Sequence, residues 1–372
     1  MHKLLIIEWK KILFSKKQFI VIFVCLFLIF AVIAVNEYNY FIEDKFELEN
    51  YLQLSEGLQE QVDTLNAELG RYEKSREVKI KKLIDLFESE KVVAENHSAA
   101  IQENDFDKRL ESAIKEKEIS IYAHEKNLLI GSPISDLRNE LAFLQYIQNT
   151  QINPKYVYKT NGLHIVYLLF SRIFPLLLPI LSLFFTYDSV SQEQSNGTLK
   201  LLLQQPYSRK KILFSKFLMN TFISLAIAFF TIFLTFSIAS LLGGVGDPRY
   251  PIFVEESAKN AFLLGKNHYV LLSDILTQSA ITIVFTIVFF SALGIFISTV
   301  SKNTFASLSI TIIFVAALIF IRSQNHPYFI HEIETFITKN PLMLLTLFLY
   351  LLFSFLLFLL SAYIFERKNV YS

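Results

Sequence analysis

Six long apolar runs constrain this chain more than any other feature of it. They cover Gln18 to Val35, His164 to Thr186, Phe217 to Leu242, Ile275 to Val300, Thr304 to Ile321 and Leu342 to Phe365. A helix rises about 1.5 Å per residue, so each run approaches or exceeds the length needed to cross about 30 Å of hydrocarbon. Composition agrees: 53% of the residues are of hydrophobic type, with 37 Phe and only 10 Gly, a balance foreign to an ordinary soluble domain. The expectation is an all-α polytopic membrane protein with six transmembrane helices. The first run is read as a permanent anchor rather than a cleaved signal. Five lysines precede it, and no small-x-small cleavage site follows before Asn36-Glu37.

Charge orients the spans. Six crossings leave both termini on one side. That side collects Lys3, Lys10, Lys11, Lys16 and Lys17 against the single Glu8, and a connector, 187–216, with Lys200, Arg209, Lys210, Lys211 and Lys216 against Asp188 and Glu193. Lys302, Arg367 and Lys368 join them. The positive-inside rule makes this face cytoplasmic. The sequence "KKILFSK" occurs at 10–16 and again at 210–216. Convergence on a good membrane-insertion signal explains it, with lysine stems snorkelling to anionic headgroups; a shared partner for spans 1 and 3 is the sharper alternative. The formal net charge of +1 gives no field for nucleic acid. The one cysteine, Cys25, excludes an internal disulfide or cysteine metal site.

The expected domains are 1–35 (interfacial helix and span 1), 36–160 (an extracytoplasmic helical, coiled-coil-like insertion) and 161–372 (spans 2–6 with the connector). The insertion has 16 basic and 24 acidic residues, a balance of −8. Leu58, Val62, Leu65, Leu69 and Tyr72 step by 4, 3, 4, 3, and Leu110, Ile114, Ile121 and Leu128 fall on a similar stripe, which predicts two amphipathic arms. Glu95 to Asn104 is the expected turn between them, Gly131-Ser132-Pro133 the expected end of the second arm, and Ser135 to Gln148 a third helix. His97 and His124 read as isolated histidines rather than a metal pair. In residues 1–17, Leu5, Ile6, Trp9, Ile12 and Leu13 recur at helical spacing beside lysines, the pattern of an interfacial helix.

The connector reads "EQSNGTLKLLLQQPYSRKKILFSK" from Glu193 to Lys216. Span 2 is expected to continue as helix through Tyr187 and Asp188 to about Glu193, where Asn196-Gly197 breaks it. Thr198 is expected to cap a short helix carrying Leu199, Leu201, Leu202 and Leu203. Pro206 stops that helix, and Ser208 is expected to cap the helix leading into span 3. The leucines have two available burials, the lipid interface or a groove on another protein.

Glu193, Gly197, Thr198, Leu202, Leu203, Pro206, Ser208, Arg209 and Lys216, in that order, make the chain resemble the permease subunits of ABC-2 type transporters, bacterial plasma-membrane exporters. The interfacial helix, six spans and large outer insertion fit the same family. The resemblance implies that Glu193, Gly197, Thr198, Leu199, Leu202, Leu203, Pro206 and Arg209 form a coupling helix for cytoplasmic ATPase subunits. It also implies a second permease copy or a related permease as partner.

The chain contains no Gly-x-x-x-x-Gly-Lys-Ser/Thr, so it does not cradle ATP phosphates by the P-loop route; the resemblance then implies that ATP and Mg belong to the partner and that this chain is non-catalytic, with no cofactor of its own. Ionisable residues are rare in the spans, against a proton relay. Arg172, about nine residues into span 2, is the exception; snorkelling accounts for it, and contact with an anionic substrate group is the sharper option. Pro175 and Pro179 are expected to kink that span. Phe233 and Phe289 belong to Phe-rich stripes on spans 3 and 4, read first as packing or lipid-facing residues and second as walls of an amphiphile's path. Export of an amphiphilic peptide, antibiotic or lipid-like substrate is the leading reading. A membrane sensor that binds a ligand through the outer hairpin is the alternative.

Overall fold

The computed structural model describes residues 2–13, 16–69, 74–128, 133–253, 269–322, 328–330 and 332–368. They divide into two compact units. One comprises Met1–Ile33, Gly162–Leu241 and Pro251–Ser372; the other comprises Ala34–Asn161 and Leu242–Tyr250.

The first unit opens with α1 (His2–Leu13) and the first part of α2 (Lys16–Glu68). The second apolar run becomes α7 (Gly162–Leu168), a π turn (Leu169–Ile173) and α8 (Phe174–Thr186). Pro175 lies in the first turn of α8 and Pro179 inside it. A proline lacks the N–H that would bond four residues back, and its ring crowds that carbonyl. The chain widens just before Pro175, where the Phe174 N–H reaches back to the Leu169 carbonyl. The expected irregularity therefore takes the form of a π turn. After the connector come α11 (Arg209–Gly243), the antiparallel pair β1 (Pro251–Phe253) and β2 (Tyr269–Leu271), α12 (Leu272–Val300) and α13 (Thr304–Arg322). A short α14 (Ile333–Lys339) and α15 (Met343–Arg367) follow. The strand pair and α14 have no counterpart in the sequence reading.

Among the described residues, five helices are long and apolar enough to cross a membrane; the helix on the expected fifth run is shorter, with an apolar part at Thr304–Phe320. Helix α12 lies against α8, α14 and α15. It buries a row of small hydroxyl residues, including Ser279, Thr282, Thr286 and Ser298. The Thr282 and Thr286 hydroxyls donate to carbonyls four residues back, at 2.8 Å each, so close helix approach leaves neither without a bond. Gly294 leaves no room for a side chain, since a Cβ there would fall 1.8 Å from Thr186 Oγ1. The main core joins Phe170, Phe174 and Leu178 to Ile283 and Ile287 of α12 and to Ile333, Phe336 and Ile337 of α14. Helix α14 thus fills space between spans, which is why so short a helix is apolar on its inner face. Outward faces are the reverse of a soluble protein's: Phe19, Phe23 and Phe27 of α2 and Phe348 and Phe355 of α15 are exposed.

The second unit holds the rest of α2, with α3 (Lys74–Glu103), α4 (Phe106–Glu125), α5 (Ile134–Asn149) and α6 (Lys155–Tyr158). Leu58 and Val62 of α2 pack on Ile80, Ile84 and Phe87 of α3. Leu110 and Ile114 of α4 pack on Leu144 and Ile147 of α5. The turn expected at Glu95 to Asn104 is helix as far as Glu103. Its polar sequence hides a buried face made by Ala94, His97, Ser98 and Ala100. The turn is confined to Asn104, at φ 54°, and Asp105, whose side chain accepts from the Lys108 N–H at 3.1 Å to cap α4. Gly131 and Ser132 lie outside the described residues; α4 has already ended at Glu125, with Asn127 left-handed at φ 52°. Helix α5 agrees with the third expected helix.

Candidate functional site

The connector is pinned before it begins. Helix α8 stops at Thr186, and residues 187–190 form turns rather than the expected continuous helix. The cause lies across the chain. The Ser298 hydroxyl of α12 accepts from the Val190 and Ser191 N–H groups at 2.9 and 3.1 Å, and the Ser307 hydroxyl donates to the Tyr187 carbonyl. These bonds take over the role of the helical ladder. Helix α9 (Ser191–Ser195) follows, then Gly197 at φ 72°, which only a residue without Cβ adopts cheaply. Helix α10 (Leu199–Leu203) completes the connector. Thr198 does not cap it with its side chain. Its hydroxyl donates back to the Glu193 carbonyl at 3.3 Å and so ties α10 to α9.

The four leucines of α10 face different ways. Leu199 is 2% exposed and packs on Val190, Leu213, Ile295 and Phe365, with Leu203 at the edge of the same cluster. Burying Leu199 contributes about 2 kcal/mol to holding α10 in place. Leu202 is half-buried, and Leu201 is 67% exposed. Gly197, Thr198 and Pro206 are exposed. The Arg209 guanidinium donates to the carbonyls of Phe365, Glu366 and Lys368 at 3.3, 2.7 and 3.1 Å. It closes the C-terminus of α15, where unbonded carbonyls and the helix dipole favour a cation.

Behind the connector lies a buried ionic cluster. Lys216 of α11 is 1% exposed; its Nζ donates to Glu8 Oε1 at 2.9 Å and Glu193 Oε1 at 2.7 Å. Lys11 also pairs with Glu193. Lys17 pairs with Asp188 and sits 4.6 Å over the Tyr187 ring. Glu8 and Lys11 of α1, Glu193 of the connector and Lys216 of α11 thus form one group, and Lys17 of α2 ties down Asp188 as a second pair. A buried cation is retained only where carboxylates surround it. Sequence reasoning singled out Glu193 and Lys216 but not their partners Glu8 and Lys11, nor the pairing of Lys17 with Asp188. The available signal was that Glu8, Asp188 and Glu193 are the few acids in two otherwise basic segments.

The three residues singled out for a path lie on three different elements, the π turn, α11 and α12. Arg172 is in the π turn and exposed. Phe233 is 65% exposed on α11. Phe289 packs against Phe290 and Tyr350, with ring centroids 5.2 and 5.0 Å apart.

The second unit has its own charged network. His97 is not isolated: it is 1% exposed, bonded to Ser112 Oγ at 2.7 Å and Glu47 Oε1 at 2.8 Å, and stacked on Tyr51 at 4.1 Å. Arg109 pairs with Asp44 at 2.9 Å and with Glu47, and lies 4.0 Å over the Tyr158 ring. Burial pushes the Glu47 carboxyl up, but the His97 hydrogen bond and the Arg109 charge outweigh it and hold the group below its ordinary value. The order Ser112, His97, Glu47 has the residue types of a hydrolytic triad. Ser112, however, donates to the Arg109 carbonyl at 2.9 Å and is 4% exposed, the position of a structural bridge. Among the described residues no group of His, Cys, Asp or Glu is placed to hold a metal.

A family model described as "ABC-2 family transporter protein" matches residues 3–335. No curated protein matches the chain significantly.

Proposed function

Since the chain belongs to the ABC-2 transporter family, we propose that it is the membrane permease subunit of an exporter whose ATP hydrolysis resides on a separate chain. In this reading both termini and the connector face the cytoplasm of a bacterial cell, α13 is a sixth span, and the second unit lies outside. Two permeases, identical or related, enclose the path, and the cargo is an amphiphile.

The observation that carries the reading is how the connector is held. Its inner side is fixed by Leu199, by the bonds from Val190 and Ser191 to Ser298, and by the Glu193–Lys216–Glu8 cluster. Its outer side presents Leu201, with Lys200 and Gln204 also exposed. An ATPase cleft that grips Leu201 and Leu202 and moves on closing displaces α9 and α10 as a unit. Lys216 and Glu8 pass that displacement to α11 and α1, and Ser298 passes it to α12. A loop without these ties would absorb the motion.

Leu201→Asp tests the docking step. Leu201 is exposed, so the variant should insert and unfold as the parent does. It should no longer co-purify with the ATPase subunit from mild detergent, and stimulated hydrolysis should fall with it. Undiminished co-purification of a folded Leu201→Asp chain would remove α10 as the docking element.

A further inference from the structure

From the last residue of its first apolar run onward, α2 keeps an exposed apolar ridge. Val35, Tyr38, Ile42 and Phe46 follow one another at steps of 3, 4 and 4, which places them within about 80° of arc on a helix. They are 58%, 63%, 45% and 64% exposed. Within hydrocarbon such a ridge is ordinary. Here it runs through a stretch that also carries Glu37, Glu43, Asp44, Lys45, Glu47 and Glu49, which excludes this stretch from an apolar span. Large exposed apolar groups in polar surroundings mark a contact surface.

Beside the ridge is a cavity of about 500 Å³, formed on α2 by Glu43, Phe46, Glu47, Tyr51 and Leu54 and across from it by Glu116 of α4. Phe46 belongs to both, so ridge and cavity are one continuous surface. Glu43 is exposed and makes no ion pair among the described residues. Glu116 accepts from the Tyr51 hydroxyl, has the Lys117 ammonium at 3.8 Å, and lies near enough to the Glu90 carboxyl to repel it. The surface therefore offers aromatic and aliphatic side chains on one flank and carboxylates on the other, within a segment whose own balance is −8.

We propose that this surface binds a cationic amphiphilic peptide. The peptide's apolar side lies on Tyr38, Ile42 and Phe46, and a lysine or arginine side chain enters the cavity toward Glu43 and Glu116. Complementary charge selects this occupant over the others. A second copy packed ridge to ridge would bring two sets of Glu43 and Glu47 into one groove, where like charges repel. A phospholipid chain would carry its phosphate to the same carboxylates. The inference does not depend on the docking of an ATPase, and it holds whether the peptide is cargo or signal.

The test uses the full chain in phosphatidylcholine nanodiscs. The probe is a fluorescein-labelled 14-residue helical peptide of leucine and lysine; its control has glutamate in place of lysine. The lysine peptide should bind saturably above the signal of empty nanodiscs, and more weakly as salt rises. The glutamate peptide should not bind. Phe46→Ala and Glu43→Lys, both at exposed positions, should each raise the Kd about tenfold; Tyr38→Ser replaces either one that changes the elution or unfolding profile. Equal binding of both peptides, or an unchanged Kd in the variants, overturns the proposal. So does efficient cross-linking of two chains by a short bismaleimide through Phe46→Cys in a Cys25→Ser background, because the ridge is then covered by a second copy. No ATPase enters the assay, so a negative result leaves the coupling reading where it stands.

Discussion

The two units bury charge in different ways. In the membrane unit the side chains of Lys216, Glu8 and Glu193 are 1%, 7% and 5% exposed. In the other unit Arg109 is equally hidden at 4%, but its carboxylates Asp44 and Glu47 are 20% and 31% exposed. Water reaches the carboxylates of the second cluster, whereas the first opens only at its edge, where the Lys11 side chain is 45% exposed. The spans of sequence differ too: Glu8 and Lys216 are 208 residues apart, whereas Glu47 and Arg109 are separated by 62. A dry cluster cannot exchange a lost partner for solvent, so its members must move together or not at all. A wet one can loosen a bond at a time. The dry arrangement suits a part that transmits displacement, and the wet one suits a helical stack held in a single register.

Lys216→Met should therefore be the most damaging change. It strands the buried Glu8, leaves Glu193 with Lys11 alone, and should cost about 3–5 kcal/mol, read from unfolding in detergent. Adding Glu8→Gln and Glu193→Gln to it should restore most of that stability, since the stranded charges are gone, while leaving ATPase-stimulated turnover low. A triple variant that regains turnover would show that the cluster only holds α1 and that its ions carry no displacement. Arg109→Met comes next, at about 2 kcal/mol, because solvent can take over at Asp44 and Glu47. If both single variants lose the same amount, access of water is not what separates the clusters.

The same contrast governs how much was legible in the sequence. The long apolar helices were plain, because hydrophobic length needs no partner to be recognised. Helix α14 was not: seven residues carry too little period, and its apolar side is set by the spans around it. In the second unit the stripes on α2 and α4 were readable from leucines. The Glu95 to Asn104 stretch misled because Ala, Ser and His form its buried face, and these residue types do not announce burial. At the connector, Gly197 and the end of α10 before Pro206 followed from local backbone chemistry. The Thr198 bond, the halt of α8 at Thr186 and the closure of α15 by Arg209 did not, since each answers to a group 5 to 159 residues away. Charge pairs such as Glu8 and Lys216 are invisible for that reason. The sequence displays too many lysines and no rule for choosing among them.

The smallest effect expected is acid sensitivity in the second unit. Glu47 is ionised more readily in the folded chain than in the unfolded one, because its bonds to His97 and Arg109 outweigh its burial. A carboxyl lowered in this way contributes stability that is complete above its unfolded value, about 4.5, and is lost as the pH falls through its folded value. Asp44, His97 and Arg109 share the site, so the wild-type profile alone does not isolate Glu47. The comparison with Glu47→Gln does. At pH 7 the variant should be less stable by up to about 1 kcal/mol, as expected for a partly exposed pair. Below pH 4.5 the two chains should converge, because protonated glutamate and glutamine then make similar contacts. Hydrogen exchange in peptides covering 90–112 would follow this locally, whereas the single tryptophan, Trp9, reports on α1 in the other unit. A constant gap between the two chains from pH 7 to pH 3 would mean that the Glu47 charge is as well satisfied by water as by its partners. The second cluster would then be merely wetter than the first, with no ionic contribution of its own.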